Sequence, residues 1–113
     1  MKSKFIAIAV LATSSAFFMN VASAEIDADA AKKLAKRNDC FKCHAVDKTK
    51  KGPSYMKISA KYKGKADAET KLIKQITTGP KVKLEDGTEE EHKIIDTKDP
   101  KEMKNLVGWI LSL

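Results

Sequence analysis

Cys40-Phe41-Lys42-Cys43-His44 is the stretch from which the rest of this chain can be read. Two thiols three positions apart, followed at once by an imidazole, form the C-x-x-C-H pattern of covalent haem c attachment. Each thiol can add to one vinyl group, and His44 is then held beneath the iron, where a ring nitrogen can ligate it. The segment supplies a covalent tether through Cys40 and Cys43 and one axial ligand through His44. It leaves open what stands on the other side of the iron.

Upstream of the motif, Lys2 and Lys4 precede an apolar run from Phe5 to Met19, and Ala22-Ser23-Ala24 offers the small residues of a signal-peptidase site. This is the pattern of a secretory signal, too short and too rich in Ala and Ser for a retained membrane anchor. Cleavage after Ala24 gives two parts: residues 1–24, removed, and a soluble domain of residues 25–113 with no segment apolar enough to span a bilayer. Haem attachment to this motif takes place on the exported side of bacterial membranes, so the expected address is the periplasm. Both cysteines lie in the motif, which leaves none for a structural disulfide.

The chain of 113 residues carries 22 Lys+Arg against 15 Asp+Glu, a formal charge of +7. Removing Lys2 and Lys4 leaves 20 against 15, so the exported part stays basic. Nearly all its cations are lysines, whose compact hydrated charge suits exposed surfaces and long-range steering. Export excludes nucleic acid as a partner. Redox proteins with acidic docking surfaces fit the charge, as does a membrane surface, and a solvated surface that confers solubility needs the same lysines. The domain is expected to be a monomer.

So short a domain has little apolar mass for a core. A haem at its centre would supply a large apolar disc, and the apoprotein is therefore expected to be poorly folded. Helical patterning surrounds the motif. A first helix is expected from Ala28 to Asn38, capped by Asp27, with Ala31, Leu34 and Ala35 on one face. Ser54 caps a short second helix through Lys61. A third runs from Ala66 to Thr77 with Leu72, Ile73 and Ile76 on one side, and stops at Gly79-Pro80. The last begins with Asp99 as cap, Pro100 in its first turn and Glu102 at capping-box spacing. Its buried stripe is Met103, Leu106, Val107, Ile110 and Leu111. Residues 80–98 read as polar and irregular, with Asp86-Gly87 as a turn. No strand signal competes, so the fold class is all-α.

These features together resemble the small bacterial class I (monohaem) cytochromes c over essentially all of residues 25–113. The resemblance rests on a first helix before Cys40-Phe41-Lys42-Cys43-His44, on Gly52-Pro53-Ser54-Tyr55 and Ala60-Lys61-Tyr62, and on the ending Gly108-Trp109-Ile110-Leu111-Ser112. It implies helices packed around one haem c, thioethers at Cys40 and Cys43, and proximal ligation by His44. It also implies that the Pro53 carbonyl accepts a hydrogen bond from the other nitrogen of that imidazole, fixing its tautomer and raising its basicity. First and last helices would cross beside the haem, with Leu34 near Met103 and Val107, and Trp109 would pack in the core.

One departure stands out. The family supplies a methionine from the loop before the last helix, and this chain has none between Pro80 and Pro100. Met103 falls on the buried stripe, and Met56 follows the Gly-Pro-Ser-Tyr turn on the proximal side. His92, the only histidine besides His44, stands at nearly the interval before Trp109 that the methionine would occupy. The expected metal ligands are thus His44 and His92. Bis-histidine ligation favours ferric iron and a lower potential than Met/His ligation. Glu89, Glu90 and Glu91 can add to that preference or serve only as a solvated acidic run.

The leading function is a one-electron carrier, not an enzyme, with Lys42, Lys48, Lys50 and Lys51 available to steer partners. The alternative is a haem protein that binds small ligands or reacts with peroxide through a labile sixth position. A third class treats Cys40, Cys43, His44 and His92 as a zinc set, or Cys40 and Cys43 as a redox dithiol.

Overall fold

The computed structural model describes residues 25–113; the secretory signal expected at residues 1–24 lies outside them. α1 (Ala28–Arg37) starts where the Asp27 carboxylate accepts from the Ala30 N–H at 3.0 Å. Its Ala31, Leu34 and Ala35 are buried, as their spacing predicts. Asp39 then takes a φ of 58°, the only positive value at a non-glycine among the described residues. Aspartate tolerates this left-handed conformation better than most residues. The reversal turns the chain directly into the 3-10 turn Cys40–Lys42.

α2 (Tyr55–Tyr62) is capped by the Ser54 hydroxyl, which accepts from the Lys57 N–H at 3.0 Å. α3 (Ala68–Thr78) begins slightly later than its apolar pattern suggests and ends on Gly79 at a φ of 60°. α4 (Pro100–Leu111) starts with the Asp99 carboxylate accepting from the Lys101 N–H at 2.9 Å. The expected capping box is not formed. The Asp99 N–H donates to the Thr97 hydroxyl at 3.1 Å, and Thr97 in turn bonds to Glu102. A hydroxyl two residues before the cap reaches this N–H, so Glu102 secures the terminus indirectly.

The four-helix fold is as expected, but residues 80–98 correct the irregular, strand-free reading of that segment. β1 (Lys81–Lys83) and β2 (Glu89–Glu91) form an antiparallel two-stranded ribbon in the register Lys81↔Glu91, Val82↔Glu90, Lys83↔Glu89. Three consecutive glutamates carry no strand propensity. The pairing instead sets opposite charges across the ladder at two of its three positions. At the tip Asp86 accepts from the Thr88 N–H at 2.9 Å, and Gly87 provides a φ of 86°. The Asp86-Gly87 turn is therefore where the sequence places it, inside a hairpin that the sequence does not announce.

The α1–α4 pair makes the most extensive helix contact. Leu34, Leu106, Trp109, Ile110, Tyr55 and Ile95 share one core, and Met103 packs against it. Trp109 is 3% exposed and meets the Tyr55 ring edge-on at 5.5 Å, the packing role expected of it. Val107 is also buried but lines a cleft between the helices and the hairpin. No helix among the described residues is long and apolar enough to cross a membrane.

Candidate functional site

The cleft has a volume of about 870 Å³, within the range of cofactor pockets. Cys40, Cys43, His44 and Pro53 form one wall, Val82, Glu90, Glu91, His92 and Ile95 the other, and Leu72, Ile76, Leu106, Val107 and Ile110 contribute apolar lining. All five residues expected from the sequence to hold the group thus lie on one cavity.

The first wall is built locally. Cys40 O accepts the N–H of Cys43 at 3.2 Å and of His44 at 2.9 Å, winding the motif into a tight turn. The Gly52 N–H donates to Cys43 O at 2.8 Å, bringing the Gly52-Pro53 segment against the imidazole. His44 Nδ1 lies 2.6 Å from the Pro53 carbonyl. A carbonyl only accepts, so the proton is on Nδ1 and the Nε2 lone pair is free. A side chain at position 52 would put its Cβ 3.0 Å from His44 Cε1, which is why glycine stands there. Tyr55 stacks on His44 with ring centroids 5.2 Å apart and planes 21° apart. Burial lowers the His44 pKa and favours the neutral, ligating imidazole. Burial also raises the Tyr55 phenol, helped by the neighbouring Cys40, so the stacked ring stays uncharged.

The second wall is held from a distance. His92 follows β2, and its N–H donates to Pro80 O at 2.9 Å. Its Nδ1 faces the Lys93 carbonyl at 2.9 Å, which leaves its Nε2 free as well. A Cβ on Gly79 would come within 3.0 Å of His92 O and 2.9 Å of Ile94 Cγ1. The glycine that ends α3 is thus also the floor on which the His92 segment rests.

Across the cleft the His44 and His92 ring centroids are 6.2 Å apart, with planes tilted by 43°. Metal–imidazole bonds of about 2.0–2.1 Å would span a gap of this size, so His44 and His92 are the pair that would hold a metal ion in this cleft. Of the methionines among the described residues, Met56 is 51% exposed and Met103 packs against the core, and neither lines the cleft. Nor do three or more His, Cys, Asp or Glu side chains converge on a common point among the described residues, as the alternative zinc set would need. Two thiols at motif spacing, a neutral imidazole and a long apolar cleft fit a haem.

Asn38, Gly52 and Gly79 are parts of the site that the sequence does not mark as such. Asn38 was legible only as a helix end, yet it is 2% exposed and bonds across to Asp96. Gly52 and Gly79 carry turn signals whose second role, contact with the His44 and His92 segments, depends on the tertiary fold.

Comparison with known proteins identifies the family and the fold. The family profile described as "Cytochrome c" matches residues 28–113, and the chain belongs to the cytochrome c family. With that membership comes one covalent haem c, for which Cys40 and Cys43 fit the attachment motif. The solved structure titled "Class 1 cytochrome MtoD from Sideroxydans lithotrophicus ES-1" is 62% identical, covering 78% of this chain and 97% of its own, with a TM-score of 0.75. Cytochrome c-552 of Nitrosomonas europaea is 45% identical over 56 residues, half of each chain. Cytochrome c-552 of Hydrogenobacter thermophilus is 29% identical over 97% of both. The match spans about half the length of several such relatives.

Proposed function

We propose that residues 25–113 are the exported, periplasmic form of a one-electron carrier. In this reading Cys40 and Cys43 form the thioethers, and His44 and His92 are the axial pair. The single observation that carries it is the 6.2 Å separation of two imidazoles whose Nδ1 atoms are both occupied by carbonyls. When bound, the haem supplies a reversible ferric/ferrous couple. The protein's part is to hold both Nε2 atoms toward the iron, to keep them basic through Pro53 and Lys93, and to exclude water with Tyr55, Leu106 and Val107. Two occupied axial positions suit electron exchange more than chemistry at the metal.

Imidazole donates more strongly than a thioether, so the potential lies below that of a Met-ligated relative. Partners are redox proteins with acidic docking surfaces. Lys48 and Lys51 are exposed near the motif, while Lys42 pairs with Asp39 at 3.5 Å and Lys50 donates to Phe41 O at 2.5 Å. Steering of this kind weakens as salt is raised.

The test is His92→Met in the haem-loaded protein. The expected result is a low-spin, six-coordinate haem that gains the weak far-red band of methionine ligation, with a potential higher by on the order of 100 mV. Unchanged spectrum and potential would reject His92 as ligand. Carbon monoxide added to the reduced native protein separates the two functional classes. Resistance supports the carrier, whereas prompt binding points to a ligand-binding or peroxide-reactive protein.

A further inference from the structure

The two walls of the cleft are joined by hydrogen bonds at two places. At the hairpin tip the Glu85 N–H donates to Lys51 O at 3.1 Å. At the other end Asn38, two residues before the first cysteine, grips Asp96, four residues after His92. The Asn38 Oδ1 accepts the Asp96 N–H at 2.9 Å, and its Nδ2 donates to Asp96 Oδ1 at 3.1 Å and to Leu34 O at 3.0 Å. Arg37 adds a two-pronged contact to the same carboxylate, Nε to Oδ2 at 3.0 Å and a terminal nitrogen to Oδ1 at 3.2 Å.

Asn38 is 2% exposed, and burying an amide on a helix end is costly unless its bonds are made. All of its bonds are made here, and two of them reach Asp96 across 58 positions of sequence. The tie is therefore specific to the relative placement of the motif and the His92 segment. That placement sets the gap in which the two imidazoles stand 6.2 Å apart. A metal–ligand bond weakens steeply if one donor is drawn away, while the His44 side is anchored within its own turn. Any relaxation of the gap therefore falls on His92.

We infer that the Asn38–Asp96 clamp is a positioning device that sets how firmly His92 holds the iron against competing ligands. This rests on His92 being the sixth ligand. Asn38 touches neither iron nor partner in this role; it acts through the wall that carries His92.

The experiment uses haem-loaded ferric protein and follows displacement of the sixth ligand by cyanide. Asn38→Asp keeps the shape but sets a carboxylate against Asp96, and should speed cyanide binding about tenfold. The exchanged pair Asn38→Asp/Asp96→Asn restores the amide–carboxylate bond between positions 38 and 96, though not the bond to Leu34 O or the Arg37 contact, and should bring the rate part of the way back toward native. Ser59→Ala is the control. Its hydroxyl holds the Leu111 and Leu113 carbonyls at the end of the chain, so it lowers stability without touching the gap. If Asn38→Asp speeds binding no more than a Ser59→Ala protein of equal stability, or the exchanged pair gives no rescue, the clamp is only structural and the inference fails. His92→Ala is measured alongside. A shift from low to high spin upholds the ligand assignment independently of the clamp, and an unchanged spectrum overturns both.

Discussion

The two walls of the cleft hold their imidazoles by opposite means. His44 is placed by residues 40–53: the turn around Cys40 O, the close approach of Gly52 and the Pro53 carbonyl. His92 depends on Pro80, on Gly79 at the end of α3 and, through Asp96, on Asn38 at the end of α1. One imidazole is fixed by short-range geometry that forms with its own loop. The other reaches its place only when three separate segments have assembled. The difference teaches where the molecule can be tuned: the second wall can shift without disturbing attachment, while the first cannot.

The largest expected effect removes what lies between the walls. Cys40→Ala/Cys43→Ala abolishes attachment and leaves an apolar cleft of about 870 Å³ without its filling. A chain this short has little core to spare. The variant should lose its cooperative thermal transition and much of its helical far-ultraviolet signal. A native-like transition in the haem-free variant would mean that the α1–α4 core suffices alone, and that the walls are preorganised instead of being held by the cofactor.

A smaller effect compares the two glycines directly. Gly79→Ala puts a side chain on a φ of 60° and drives its Cβ to 3.0 Å from a backbone carbonyl, that of His92. Left-handed strain and a backbone that must give way together cost on the order of 2–3 kcal/mol. Gly52→Ala has no positive φ and crowds the edge of the His44 ring at 3.0 Å, with the Cys43 carbonyl oxygen at an ordinary contact distance of 3.4 Å, a crowding of about 1 kcal/mol. Denaturant titration of the haem-loaded variants checks the order. If Gly52→Ala proves the more damaging, the first wall is the less adaptable in stability as well as in geometry.

The same contrast explains what could be read from the sequence. The first wall is legible because its chemistry is local: C-x-x-C-H, then Pro53 nine residues beyond His44, with caps at Asp27, Ser54 and Asp99. The four helices followed from apolar spacing. The hairpin did not, since Glu89-Glu90-Glu91 is a poor strand on its own and pairs through Lys81 and Lys83. His92 was reached by elimination and interval, but what holds it was invisible. Asn38 reads as an ordinary helix end until Asp96 stands beside it, and Glu102 reads as a capping box until Thr97 takes its place.

The smallest effect concerns the charge on the second wall. Of the three consecutive glutamates, Glu90 and Glu91 line the cleft, whereas Glu89 does not. A carboxylate near the iron stabilises the ferric state by Coulomb attraction, diluted by solvent at an exposed strand. Glu90→Gln/Glu91→Gln should therefore raise the potential by about 20–40 mV at low ionic strength, less than an axial ligand exchange. Glu89→Gln should leave it unchanged, although it loses its partner Lys83 across the ladder. Voltammetry at two salt concentrations decides between a local field and a general surface charge. If all three substitutions shift the potential equally and the shift vanishes with salt, the acidic run is a solvated surface and the second wall acts through His92 alone. If only Glu90 and Glu91 act, and part of the shift survives in salt, the hairpin contributes to the potential through its charges, beside the proposed ligand His92 that follows it.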